Sequence, residues 1–196
     1  FLGGGPDREQ RLASEDLIRM RDDLHAYVED DGVLLAICGG FQILGREWLL
    51  GEEVVRGLGL VDMTTERAPG GSGNRLIGNI ALRSPLAERV VVGYENHAGR
   101  TRLGVGVEAF GDVASSTGHG NNDSDKRDGV RYRNVVGTYL HGPLLPKNPQ
   151  VADALLARAL ERRARRAGVP VPELAPLDDA VENAANEYVR NRLNAG

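Results

Sequence analysis

The chain has 196 residues, one domain's worth, with 24 basic and 28 acidic side chains and a formal net charge of −4. That balance argues against a polybasic nucleic-acid or membrane-surface binder, and no apolar run approaches the roughly 18 residues of a membrane span. A hydrophobic content of 41% is that of a folded chain, and the only cysteine, Cys38, rules out an internal disulfide framework or a cysteine-rich zinc site.

Phe1-Leu2 followed by Gly3-Gly4-Gly5-Pro6 reads as the end of a strand and a tight turn. With no Met or signal-peptide pattern before it, the expectation is an N-terminally shortened chain with at least one strand upstream. Leu17, Met20, Leu24 and Val28 fall on one face of a single amphipathic helix, stopped by Asp31-Gly32. Val33 to Ile37 is a continuous apolar run, as in a strand buried on both faces of a parallel sheet. Further strands are expected at Arg89–Tyr94, Val105–Phe110 and Val130–Leu140, with loops at Pro69–Gly73 and Gly118–Asp123 between them. Asn148-Pro149 is a helix N-cap with Pro at the first helical position. The helix that follows buries Val151, Leu155, Leu156 and Leu160 and ends in a basic run, Arg162–Arg166. After Pro170, Pro172 and Pro176, a last helix from about 178 to 193 turns Val181, Ala185, Tyr188 and Val189 inward. The order of elements is α/β. The expected organisation is a single domain over 1–196, with a mostly parallel central sheet flanked by helices and a C-terminal helical extension over 170–196.

Cys38 sits where the buried strand turns into Gly39-Gly40-Phe41-Gln42. A lone cysteine is ordinarily a buried structural thiol. A sharp strand-to-helix turn instead lifts its side chain out of the carboxyl edge of the sheet, and the small neighbours Ala36, Gly39 and Gly40 permit the tight backbone. A helix N-terminus behind the thiol would lower its pKa. A cysteine nucleophile needs a base. His25, among acidic residues, and His119, in a Gly/Asn-rich loop, read as surface residues, and His97 stands at a strand end. His141 follows the strand ending Thr138-Tyr139-Leu140, which places it at the same sheet edge as Cys38.

Ala36-Ile37-Cys38-Gly39-Gly40-Phe41-Gln42 resembles the G-x-C-x-G-x-Q signature of class I, triad-type glutamine amidotransferases. Arg75–Asn79, Tyr94–Thr101, Gly120–Asp123 and Gly137–Pro143 resemble the branch shared with cobyric acid synthase. Within that branch they are most similar to the GatD-type glutaminase subunits of lipid II isoglutaminyl synthases. The resemblance covers roughly 1–165.

It implies that Cys38 attacks the carboxamide of L-glutamine and that His141 is the base and acid. The Gly39 N–H, with one from Gly4 or Gly5, would form the oxyanion hole, and Gln42 and Arg75 would hold the substrate. A solvated surface arginine is the plain alternative for Arg75. The resemblance further implies a MurT-like, Mur-ligase-like synthetase subunit in a heterodimer. That partner would carry the ATP and Mg, and it would amidate the D-glutamate of lipid II in cell-wall peptidoglycan synthesis, at the cytoplasmic face of the membrane. No cofactor, metal or nucleic acid is expected on this chain. Lys126 and Lys147 are its only lysines, and neither lies in a phosphate-binding Gly-Lys loop.

Two departures stand out. Ala36 replaces the first Gly of the signature. Pro143 stands where many class I enzymes carry an acid behind the histidine, so a partner Asp is expected to complete the site and the isolated chain to be weakly active. Asp123-Ser124-Asp125 lacks the Gly and Glu of a calcium loop. The alternatives are an amidotransferase for another acceptor of cobyrinate type, a cysteine peptidase, or a catalytically silent partner-binding module.

Overall fold

The structure is a computed structural model that describes residues 1–5, 7–50, 53–68 and 73–195. Most of the loop expected over 69–73 lies outside them, as does Pro6. In chain order the elements are α1 (Asp7–Arg19), α2 (Arg21–Glu29), β1 (Leu34–Ile37), the single turn α3 (Gly39–Gln42), β2 (Glu47–Leu50), β3 (Glu53–Arg56) and β4 (Met63–Arg67). There follow β5 (Leu76–Arg83), β6 (Val91–His97), β7 (Gly99–Leu103), β8 (Gly111–Val113), β9 (Arg127–Asp128), β10 (Val130–Tyr132) and β11 (Val135–Thr138), then α4 (Leu144–Lys147), α5 (Pro149–Ala167) and α6 (Ala180–Arg192).

β1 is buried along its whole length. It pairs parallel with β11, Ile37 opposite Thr138, and on its other edge meets Leu2 in a parallel bridge at Ala36. Its side chains alternate between two cores. Leu34 and Ala36 pack with Val28, Phe41, Leu58, Met63 and Tyr139. Leu35 and Ile37 pack with Ile80, Leu82, Phe110, Leu140, Val151 and Leu155. The continuous apolar run is therefore explained by burial on two faces.

The α/β class is as expected, but the sheets are mixed. Among the described residues, parallel pairing is confined to β1 with β11, β1 with Leu2, and β2 with β4. The sheet β6-β5-β8-β9 is wholly antiparallel, as are β2 with β3, β4 with β7, and β10 with β11. Thus the strands that carry the elbow match the expectation and most of the rest do not.

Other expectations need correction. The first helix is two, broken at Met20, which is exposed, while Leu17, Leu24 and Val28 do pack inward. Val105–Phe110 forms no strand beyond a single antiparallel bridge of Glu108 to Arg131, and Val105 stands fully in solvent between Gly104 and Gly106. Leu156 is also exposed. Asn148 stands at the N-cap of α5 with Pro149 next to it, as expected, but its side chain makes no cap hydrogen bond. It is wholly buried, its Oδ1 accepts from the Val92 N–H, and its Nδ2 donates to the Val92 and Leu144 carbonyls. α6 turns Val181 and Tyr188 outward and instead buries Asn186, with Val189 and Leu193 packing nearby. The basic run of α5 is used structurally. Arg162, Arg165 and Arg166 all bind Asp30 at the end of α2, and Arg165 also binds Asp31.

Candidate active site

The end of β1 delivers Cys38 into a backbone conformation with φ 54° and ψ −109°. A non-glycine residue with positive φ is uncommon and costs about 1–3 kcal/mol, so its neighbours must hold it there. The Cys38 N–H is tied to the Thr138 carbonyl at 2.9 Å, and the Cys38 carbonyl accepts from the Gln42 N–H at 3.0 Å. The glycines around it have packing reasons. A Cβ on Gly40 would lie 2.5 Å from the Leu2 carbonyl oxygen, and one on Gly4 would lie 3.0 Å from Cys38 Cβ and 3.4 Å from the Gly39 nitrogen. The Gly4 turn is therefore pressed against the elbow. Gln10 of α1 fills the place a side chain on Gly39 would take, and its Nε2 donates to the Gly5 carbonyl at 2.5 Å. A side chain on Gly5 would meet only Glu9.

Cys38 is half-buried. Burial pushes its thiol up, and this outweighs the Gly39 N–H and the Arg75 charge, which act the other way. The expected lowering by a helix terminus is thus not what the structure gives, because α3 is only one turn long and desolvation is the larger effect.

His141 follows β11 by three residues and is fixed by reciprocal backbone hydrogen bonds with Tyr94 of β6, at 2.7 and 3.2 Å. Cys38 and His141 therefore stand at the ends of adjacent parallel strands. Burial lowers the His141 pKa, and the charges of His97 and Arg75 add to that. Its Nε2 is buried with no hydrogen-bond partner among the described residues. Burial, His97 and Arg75 all act against its protonated form.

Arg75, exposed at the start of β5, is clamped by Asn96: its Nε donates to the Asn96 side chain and one Nη to the Asn96 carbonyl, both at 2.8 Å. Its charge reaches both Cys38 and His141. Gln42 is buried, and its Nε2 donates to the Tyr139 hydroxyl at 3.1 Å.

Sequence reasoning missed the polar layer beneath these residues. Tyr139 is fully buried, stacks on His97 with ring centroids 3.5 Å apart, and hydrogen-bonds Thr101 at 2.7 Å. Glu95, also fully buried, accepts from the His119 and Gly120 N–H groups and from the His119 ring. Burial pushes Glu95 up, but these bonds and His97 pull it below the ordinary range. His119, though its side chain is part-exposed, is thus a partner of Glu95, and His25 is half-buried against the Leu58 carbonyl. The signal for this layer was Glu95-Asn96-His97 itself, a charged pair two apart and so on one face of a strand. No cluster suited to holding a metal ion occurs among the described residues.

The profile of the CobB/CobQ-like glutamine amidotransferase domain matches residues 1–149. The lipid II isoglutaminyl synthase (glutamine-hydrolyzing) subunit GatD of Staphylococcus aureus (strain N315) is 41% identical over 196 residues, 99% of this chain and 74% of that protein. The subunit of the same name from Streptococcus pneumoniae (strain ATCC BAA-255 / R6) is 38% identical over 83% of this chain, which spans 61% of that relative's length. A cobyric acid synthase of Sphingopyxis alaskensis is 36% identical over 83% of this chain but only 32% of its own length. A crystal structure of a glutamine amidotransferase shares the fold, with a TM-score of 0.54 at 23% identity over 80% of this chain and 76% of that one. An elbow cysteine beside a strand-end histidine, on a chain matched by that profile over most of its length, leads to one conclusion: the chain belongs to the family of CobB/CobQ-like glutamine amidotransferases.

Proposed function

We propose that the chain hydrolyses L-glutamine to glutamate and ammonia, and passes the ammonia to an ATP-dependent, Mur-ligase-like synthetase subunit that amidates the D-glutamate of lipid II. The observation that carries this reading is Cys38, held at positive φ on the elbow, with His141 at the end of the neighbouring parallel strand. The acceptor and partner follow the relatives named lipid II isoglutaminyl synthase subunits.

Each group has a chemical role. Neutral His141 takes the thiol proton as Cys38 Sγ attacks the carboxamide carbon. The oxyanion is held by the Gly39 N–H and one from the Gly4–Gly5 turn. His141 then gives its proton to the leaving nitrogen, the C–N bond breaks, and ammonia departs. Water, deprotonated by His141, cleaves the thioester to glutamate and returns the thiol. Arg75 receives the substrate α-carboxylate. Gln42, fixed by Tyr139, lines the substrate side of the elbow.

The site as the chain alone holds it has a thiol raised by burial and an imidazole lowered by burial and positive charge. A carboxylate brought against His141 by the synthetase would reverse the second effect and, through the imidazolium, the first. The ATP and Mg belong to that subunit, where the acceptor carboxyl is activated.

The test is labelling with a glutamine-analogue electrophile in the presence of the synthetase. Labelling at Cys38, ammonia release from glutamine, and loss of both in Cys38→Ala are expected. A folded, complexed chain that neither labels nor releases ammonia is instead a silent binding module.

A further inference from the structure

Asp128 is a fully buried carboxyl that the glutaminase chemistry above does not use. It ends β9, and Gly129 follows at φ +69°, a conformation suited to glycine. A Cβ on Gly129 would lie 2.1 Å from the Gly137 carbonyl oxygen, so this turn is pressed directly onto β11. Asn121 clamps the turn from outside, accepting from the Gly129 N–H at 2.7 Å and donating to its carbonyl at 2.9 Å.

What Asp128 holds is the run between the two reactive residues. Thr138 Oγ1 donates to Asp128 Oδ2, and the Tyr139 N–H points to Oδ1 at 3.4 Å. The same Thr138 hydroxyl accepts from the Leu140 N–H at 3.0 Å, and the Thr138 carbonyl accepts from the Cys38 N–H at 2.9 Å. Leu140 is followed by His141. One carboxyl therefore fixes a stretch that anchors the nucleophile's amide at one end and carries the base at the other.

We propose that Asp128 is a positioning residue of the site, holding Thr138–Leu140 in the conformation that sets His141 against Cys38. This rests on the reading of those two residues as base and nucleophile. Protonation of Asp128 removes the charge that strengthens the Thr138 Oγ1–H bond to Oδ2, so the device is sensitive to pH. Burial comes first among the causes that push Asp128 up to about 7; Glu95 on β6 and Asp125 before β9 push the same way, and the Thr138 and Tyr139 bonds oppose them. The thiol titrates above its ordinary value of 9.0 and His141 below 6.5, on either side of that point.

The test uses the fact that Cys38 is the only thiol. Alkylation of the full chain by iodoacetamide across about pH 5 to 9, and glutamine turnover with the synthetase subunit, are compared for wild type, Asp128→Asn, Thr138→Val and Thr138→Ser. Wild type should show a step near pH 7 in the alkylation profile that Asp128→Asn lacks. Asp128→Asn and Thr138→Val should lose about tenfold or more in kcat with KM for glutamine nearly unchanged, as for a misplaced reacting group, and Thr138→Ser should restore it. An Asp128→Asn profile that superimposes on wild type after scaling overturns the proposal. So does a Thr138→Val chain as fast as Thr138→Ser, a comparison that stands even if Asp128→Asn fails to fold. A wild type that releases no ammonia from glutamine would sink the functional reading instead, while the alkylation profile still decides the role of Asp128.

Discussion

Cys38 occupies a conformation that costs stability and places the half-buried thiol at the sheet edge. Relieving that strain should separate stability from activity. Cys38→Gly, which tolerates positive φ, should keep or raise the urea midpoint while abolishing ammonia release. A marked fall in the midpoint would mean that the thiol's packing outweighs the backbone strain. Arg75 makes a complementary case. Asn96 orders its fork from one side, so the guanidinium approaches the site pre-aimed. A charge-assisted hydrogen bond is worth about 1.5–3 kcal/mol. Arg75→Ala should therefore raise KM for glutamine roughly ten- to a hundredfold with a smaller effect on kcat. Arg75→Lys should recover little, because a point charge cannot reproduce the fork. An unchanged KM in steady-state assays would remove Arg75 from the substrate site.

Secondary elements were legible in the sequence where their signals are local. The β1 run, the Cys38 turn and the Asn148-Pro149 start of α5 needed only neighbouring residues to be read. Periodicity failed where packing partners decide the face. The stripe through Met20 looks continuous, yet the chain breaks there into α1 and α2, which lay Leu17, Leu24 and Val28 on one core and leave Met20 outside. Tyr188 looked like a core residue of α6, but Asn186 takes the buried place, donating to the Val90 and Lys147 carbonyls and to Asn148 Oδ1 at 2.9 to 3.0 Å. Buried polar residues such as Asn186 and Asp128 are readable only once their distant partners are known, because their burial depends on bonds across the fold. For the same reason α6 should depend on one amide. Asn186→Ala leaves buried acceptors unpaired and should cost about 1–3 kcal/mol in urea unfolding. Tyr188→Ala, on the exposed face, should lie within about 0.5 kcal/mol of wild type. Equal effects of the two would contradict this assignment of the faces.

For the molecule as a whole, the decisive feature is the imbalance around His141. Arg75 brings positive charge toward it, burial removes water, and its Nε2 has no hydrogen-bond partner among the described residues. All of these favour the neutral ring. On the proposed mechanism a neutral imidazole accepts the thiol proton, but nothing among the described residues supports the resulting imidazolium, so that step should be uphill in the chain alone. A carboxylate from a second subunit would supply the missing support, and an opposite charge at close range raises a histidine pKa. Titration of the His141 ring by NMR should accordingly give a pKa below the ordinary 6.5 in the isolated chain and a higher one in the complex. The sign for turnover follows. Isolated chain should be slow at neutral pH because the imidazolium is disfavoured, and adding the synthetase should raise kcat by at least the roughly 10²-fold typical of positioned acid–base catalysis. Replacing the contributed acid on the partner should return kcat to the isolated level without breaking the complex. Turnover that is the same with and without the partner, together with an unmoved His141 titration, would show that the chain supports its own imidazolium and that the subunits are coupled only by the transfer of ammonia.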